Sequence, residues 1–588
     1  MLRGIRQVLW LGVDAKCTVV QFLLIQLTNW GLMSEHDLIL RGGKVITLDG
    51  RSRIAEAMGV RDGRVAAIGS EAEVLQDRGH HTRIIDVKGK TIIPGLFDAH
   101  PHMDREGLKQ RGGIPLDDCK SVADILDVVR RAASRTPPDE WIVLMPMGRG
   151  PTDYVYRPDQ LKEGRFPTRY DLDEAAPNHP VYIRAPWGWW SHRPFPSVAN
   201  SRALQIAGVT RDTPEHYNTT IIKENGEPNG VFLDRNYAPV MEYTLFKCVP
   251  RFTYEDRIAG VRLGSAAYSA CGTTATYEGH GITPPLIDAY RSVHAAGQLS
   301  VRMQIPLSVP TAAFDNRKIG DVLYHWASTL RDRGSGDDML RFDGICVDVG
   351  DATVAHTISK DYPYEQWAGH FYQSLPHDRF VELGVLAARL GLRVNCLVCY
   401  DLERVLRAYE AINAQIDITE KRWVIIHVIS ATDDQIRRIK ALGLIATVTP
   451  GFMFMASDRF KLNELRDEGI PIRRLLDAGV PVALSTDNVP PSMLFAMWQA
   501  LSRWDGDSKT KLGDSHLTRE EALRISTVTG HFLSWQEHDR GALEPGRAAD
   551  FVVLGDDPLT CAEDAIKDIV VERTFVGGRQ VFAREQFA

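Results

Sequence analysis

Cysteine is scarce in this chain. Eight of 588 residues are Cys, at positions 17, 119, 248, 271, 346, 396, 399 and 561, and no spacing among them builds a disulfide framework or a zinc ribbon. Their default role is that of reduced, buried thiols in a cytoplasmic protein. An excess of positive charge is missing too. Lys and Arg number 69 against 76 Asp and Glu, a net charge of -7 with no basic cluster, which argues against a nucleic-acid or anionic-membrane surface. Long apolar runs are absent. The two stretches near the start, Val8 to Val13 and Thr18 to Leu27, are separated by Asp14 and Lys16. Each falls short of the ~20 residues that span a bilayer, and no small-residue cleavage site follows. No heptad pattern suggests a coiled-coil partner. Met33 opens a sequence that already looks like a folded domain, so residues 1–35 are expected to be a tail, with Met33 as the natural start.

What is present is ordinary globular material, 44% hydrophobic and 25% charged, in a chain too long for one core. Two or three structural units are expected. Residues 36–90 hold short β signals separated by Gly-Gly and Asp-Gly pairs: Asp37 to Arg41, Lys44 to Leu48, Glu56 to Val60 and Arg64 to Ile68. The C-terminal segment from about 545 repeats the pattern, so the two chain ends are expected to pair as a small β-sandwich. Between them, apolar runs alternate with helical segments. Eight fit parallel strands: 91–97, 271–276, 300–305, 342–348, 392–398, 422–428, 442–448 and 480–486. The expected fold is therefore α/β, a (β/α)8 TIM barrel over residues 91–544, whose site lies at the C-terminal strand ends. Two further runs, Trp141 to Met147 and Val181 to Ala185, are assigned to an inserted subdomain at about 105–265. That segment carries Trp187, Trp189 and Trp190 near Tyr154 and Tyr156, aromatics suited equally to a substrate pocket and to the insertion's own core.

The run Thr91 to Phe97 leads into Asp98-Ala-His-Pro-His102. Strand alternation would put His100 and His102 on one face, where two imidazoles can reach one divalent ion. Other strand ends add candidates: Glu278 and His280 after the second, His427 at the sixth, Asp487 at the eighth. A single histidine in such a place is usually structural. Several at one end of a barrel point to a metal site.

These residues carry a resemblance. Ile93-Pro-Gly-Leu-Phe-Asp-Ala-His-Pro-His102 resembles a motif of the amidohydrolase superfamily, and of its YtcJ-like group (amidohydrolase family 3). Asn200 to Gly208, Glu224 to Val231, Leu484 to Pro490 and Gly546 to Leu554 support it by order and spacing from about residue 36 to the end. The resemblance implies a metal-dependent barrel with a β-sandwich from both chain ends. It makes His100 and His102 metal ligands, puts Asp487 beside the reactive water and matches His427 to the sixth-strand histidine. It also marks His192 as a substrate contact, beside Trp189 and Trp190. The chain departs from the group at two places. Cys346 stands where the fourth strand usually carries a lysine, and Leu397 where the fifth carries a histidine; Asn395, two residues earlier, is an alternative inward-facing group. One metal is thus expected rather than two, with Glu278, His280, His427 or Cys346 completing the set. Zinc is favoured, and manganese, iron and cobalt suit the same ligands.

The chemistry so implied is hydrolysis of an amide, formamide or related C–N bond in a small, apolar or aromatic substrate, by metal-activated water with Asp487 as proton shuttle and His427 assisting at the carbonyl. Two alternatives use the same barrel: a metal-dependent lyase or decarboxylase, and a ligand binder without turnover. A small molecule is the expected partner, with a homodimer compatible.

Overall fold

The computed structural model describes residues 35–149, 153–186, 192–215, 218–236, 240–311, 315–350, 374–398 and 401–584. Residues 1–34, with Cys17 and all but the last residue of the expected N-terminal tail, lie outside them, as do Trp187, Trp189, Trp190 and Cys399.

Eight parallel strands form a nearly closed barrel: β1 (Leu96–Asp98), β2 (Thr273–Tyr277), β3 (Arg302–Ser308), β4 (Leu340–Cys346), β5 (Val394–Leu397), β6 (Val424–Ile426), β7 (Ile445–Val448) and β8 (Val482–Leu484). Neighbours pair in chain order from β1 to β8. The seam between β8 and β1 is bridged just past the strands, where Ala99 N–H donates to Leu484 O at 3.1 Å and Asp487 N–H to His100 O at 3.0 Å. Each strand is covered by helices outside and apolar side chains inside, which is why these strands read as near-continuous hydrophobic runs. The inner layer holds Phe97, Ala275, Tyr277, Cys346, Val424, Ile426, Ile445 and Ala483.

One run behaves differently from its reading as a single strand. Residues 91–97 divide at Gly95. Thr91–Pro94 leaves the barrel to lie antiparallel to Phe551–Leu554, with Val553 opposite Ile92, and only Leu96–Asp98 enters it. A side chain at Gly95 would strike Thr274, its β-carbon falling 2.0 Å from the hydroxyl oxygen. Glycine lets the chain pass from one sheet to the other.

The outer part of this divided run belongs to a six-stranded sheet that also contains Lys44–Ile46, Ile54–Ala55, Val571–Val576 and Arg579–Ala583. A four-stranded sheet, Arg64–Gly69, Ala57–Arg61, His36–Arg41 and Arg78–Asp86, packs on it through Leu38, Leu40, Met58, Val60, Ile92, Phe551 and Phe575. Arg302, opening β3, is buried and donates both Nε and Nη2 to Asp550 at 2.8 and 3.0 Å, fastening this pair of sheets to the barrel.

Between β1 and β2 the chain builds a seven-stranded sheet from residues 114–234, with Ile142–Arg149 and Val181–Ile183 adjacent and parallel. Helix α1 (Met103–Leu108) leads into this excursion and α2 (Tyr254–Ala270) returns from it. The two cross at backbone contact. A β-carbon on Gly264 would lie 1.9 Å from Met103 O, and one on Gly107 would lie 1.8 Å from Gly260 O. The Tyr268 hydroxyl of α2 donates to Pro101 O, so this crossing also holds the loop that carries His100 and His102.

Candidate metal centre

The site starts from Asp98, the last residue of β1. Its buried carboxylate accepts the backbone N–H groups of His100 and Thr486, each at 3.0 Å, and the Thr486 hydroxyl. It thereby ties the ends of β1 and β8 together. Burial raises its carboxyl to about 6, against the pull of those three bonds. Because β1 ends here, His100 and His102 follow the strand rather than alternating along it. Their convergence comes from backbone geometry: His102 is left-handed, φ 49°, at the N-terminus of α1. His427 (φ 59°) and Asp487 (φ 51°) share that conformation. An L-residue there forfeits on the order of 1 kcal/mol, and such strain collects at functional sites.

The result is a buried cluster. His102 places Nε2 2.8 Å from Asp487 Oδ1 and Nδ1 2.8 Å from Glu278 Oε1. His100 Nε2 is 3.5 Å from Asp487 Oδ1, and His427 Nε2 is 3.8 Å from Asp487 Oδ2. The His100 ring centre stands 4.4 Å from each of His102, His280 and His427. Two donor sets share His100: His100, His102 and Asp487, and His100, His280 and His427. Within each, the donor atoms lie within 4.8 Å of one another. On the far side of His427, Nδ1 is 2.7 Å from Thr449 Oγ1, Thr449 Oγ1 is 2.8 Å from Ser485 Oγ, and Ser485 Oγ donates to Val448 O at 2.9 Å. Phe452 closes over the His427 ring at 4.9 Å.

The donor set suits a divalent cation. Burial, reinforced by neighbouring imidazoles and Arg105, holds His100 and His102 well below the ordinary histidine range. Burial, then His427 and Arg105, does the same for His280. Burial alone takes His427 down to about 3. All four are neutral lone-pair donors. Burial pushes the Glu278 and Asp487 carboxyls well above theirs. Among the described residues, both nitrogens of His100, both oxygens of Glu278, His427 Nε2 and Asp487 Oδ2 have no hydrogen-bond partner. Buried polar atoms left so are expensive, and a positive ion among them removes the penalty.

The other expected residues have these surroundings. Cys346 faces the apolar interior of the barrel and pairs in register with Asn395. Burial first, then Asp348 and Cys396, pushes its thiol far up, leaving a protonated side chain. Asn395 accepts the Tyr277 hydroxyl at 2.8 Å and donates to Ile345 O at 2.9 Å, so both ends of its amide are engaged within the barrel wall. His192 stands apart from the cluster, 3.1 Å from Asp507 and 3.6 Å from Asp458, with Tyr156 against its ring. Sequence reasoning passed over Gly279, whose β-carbon would fall 1.9 Å from His100 Nδ1, and the hydroxyls of Thr449, Ser485 and Thr486. For Gly279 there was a signal, its place between two candidate ligands; for the hydroxyls there was none.

A barrel with imidazoles and carboxylates buried together at the C-terminal strand ends defines the class: a hydrolase-type (β/α)8 barrel equipped for a divalent metal. The chain belongs to the amidohydrolase family, whose model matches residues 83–582. It is 28% identical over 568 residues to N-substituted formamide deformylase of Arthrobacter pascens, covering 92% of this chain and 98% of that relative. To the amidohydrolase YtcJ of Bacillus subtilis it is 24% identical over 572 residues, covering 93% and 99%. Among solved structures, an uncharacterized metal-dependent hydrolase from Pyrococcus horikoshii superposes with a TM-score of 0.63 at 19% identity, covering 90% and 99%. The protein is an enzyme that hydrolyses C–N bonds in small molecules. Among the described residues no helix is long and apolar enough to cross a membrane.

Proposed function

We propose that this enzyme hydrolyses an amide or formamide bond in a small substrate with an apolar or aromatic group, using one divalent ion held by His100, His102 and Asp487. His280 and His427 stand ready as further donors. Zinc is the favoured ion for three or more nitrogens and a carboxylate. When bound, such an ion makes water acidic enough to be deprotonated near neutral pH. The protein's share is to hold the parts. His100 and His102 present neutral nitrogens. Asp487 takes a proton at Oδ2, the oxygen without a hydrogen bond, and returns it to the leaving nitrogen. The buried wall around them, Phe452 included, excludes bulk water and strengthens every charge interaction inside.

The observation that carries this reading is the convergence of buried His100, His102 and His427 on Asp487, with both His100 nitrogens and His427 Nε2 left without a hydrogen bond among the described residues. The curated relative that acts on N-substituted formamides supports the substrate class. The test is metal analysis joined to product analysis. Purified enzyme should hold about one ion per chain and release formate or a carboxylate, with the free amine, from a panel of N-formyl and N-acyl aromatic amines. Decarboxylated or eliminated products would overturn the hydrolytic assignment, and absence of any bound metal would overturn the site.

A further inference from the structure

We propose that Thr449 and Ser485 are positioning residues that fix the tautomer of His427, keeping its proton on Nδ1 and its lone pair on Nε2. This rests on the metal reading of the site given above. The argument is one of donor counting along a chain of four groups. Val448 O is a carbonyl and can only accept; it takes Ser485 N–H at 2.9 Å and also lies 2.9 Å from Ser485 Oγ, a separation at which the two oxygens repel unless the hydroxyl turns its proton to the carbonyl. A hydroxyl has one proton, so Ser485 has none left for Thr449, 2.8 Å away. Thr449 must therefore donate to Ser485, which spends its own proton. The remaining contact, 2.7 Å between Thr449 Oγ1 and His427 Nδ1, then requires Nδ1 to donate. The carbonyl at one end dictates the protonation of the ring at the other.

Burial protects this ordering. Val448, Ser485 and His427 are at most 1% exposed, as is Thr449, so water does not enter to reverse a hydroxyl. The neutral ring has one proton, held at Nδ1. Nε2, facing Asp487 Oδ2 at 3.8 Å and the His100 ring, is bare. A bare Nε2 is a ligand. It cannot donate to a substrate oxygen, so the carbonyl-assisting role expected of His427 from sequence passes to other groups. Two hydroxyls from neighbouring strand ends, one after β7 and one after β8, thus decide what a histidine after β6 can do. This is the outer-layer support that ligating histidines generally require.

The test uses the full chain loaded with zinc or cobalt. Thr449→Val removes the acceptor for Nδ1–H while keeping the shape. It should weaken metal affinity ten- to a hundredfold in chelator competition and alter the visible spectrum of the cobalt form. Thr449→Ser keeps the hydroxyl and should restore both. Ser485→Ala frees the Thr449 proton to turn towards Nδ1 and should weaken binding in the same direction. In metal-free protein, the nitrogen NMR signal of His427 Nε2 should be that of an unprotonated ring nitrogen, and a protonated Nε2 would overturn the proposal. So would a Thr449→Val enzyme that binds metal like the parent, or a Thr449→Ser enzyme no better than Thr449→Val. His100→Ala separates the two levels of argument. If it too leaves metal binding intact, the metal site itself is wrong; if it abolishes binding while Thr449→Val does not, only the tautomer lock fails.

Discussion

Glu278 Oε1 lies 2.8 Å from Nδ1 of His102, the ring nitrogen not turned to Asp487. A metal-bound histidine characteristically gives its second N–H to a carboxylate, which fixes the ring and raises its basicity. The contact brings Glu278 within reach of that role, although neither of its oxygens makes a hydrogen bond among the described residues. Glu278→Gln is expected to lower metal affinity ten- to a hundredfold, measured by chelator competition, with one ion per chain still bound at saturation. A stoichiometry that falls to zero would make Glu278 a ligand instead.

Asp487→Asn keeps the size of the side chain and removes its basicity. Hydrolysis should fall by roughly 10²–10⁴-fold, while the melting temperature of the metal-free form stays close to that of the parent. Initial rates and calorimetry on matched preparations, with metal content measured on each, check both parts. Undiminished turnover would remove Asp487 from proton transfer.

Gly279→Ala tests the packing of His100. The new methyl would sit 1.9 Å from Nδ1, so the ring must move out of the donor set. The expected outcome is loss of bound metal with a destabilisation of about 1–3 kcal/mol, the usual range for overpacking a filled site. Metal content and urea unfolding report the two effects separately.

His192 supplies a pH dependence. Burial alone would lower its pKa, but Asp458 and then Asp507 outweigh burial and raise it to about 9. The folded value exceeds the free value of about 6.5. The ion pairs therefore contribute fully below that pH and lose their contribution as pH rises towards 9. With both aspartates substantially exposed, the contribution is at most about 1 kcal/mol. Unfolding of the parent and of His192→Gln should differ at pH 6 and coincide at pH 10; a constant gap would remove the charge from the explanation.

All eight barrel strands were legible in the sequence, because each is buried on both faces and so written in apolar residues. The helix after β6, Asp433–Ala441, starts at Thr432, whose side chain accepts Gln435 N–H. The break at Gly95 was not legible. Nothing in Thr91 to Phe97 distinguishes residues that serve two different sheets until the partners, Phe551–Leu554 and Thr273–Tyr277, are in place. The same divide runs through the site. His100, His102, His280, His427 and Asp487 announce themselves as polar groups ending apolar strands. Thr449 and Ser485 look like any strand-end hydroxyls, and their importance lies in a chain of contacts between segments 36 residues apart. Asn395 shows the converse. The sequence offers it only as an alternative inward-facing group, and its amide is engaged by Tyr277 and Ile345.

The antiparallel pairing of Thr91–Pro94 with Phe551–Leu554 has a bearing on biosynthesis. The early strand leaves the ribosome more than 450 residues before its neighbour exists, and β1 likewise waits for β8. Until translation is nearly finished, both expose unsatisfied edges, the kind of surface on which nascent chains stick to one another. Shortening the gene from its 3′ end should therefore harm yield out of proportion to the few residues removed, since the last strands to be made are the ones that shield the first.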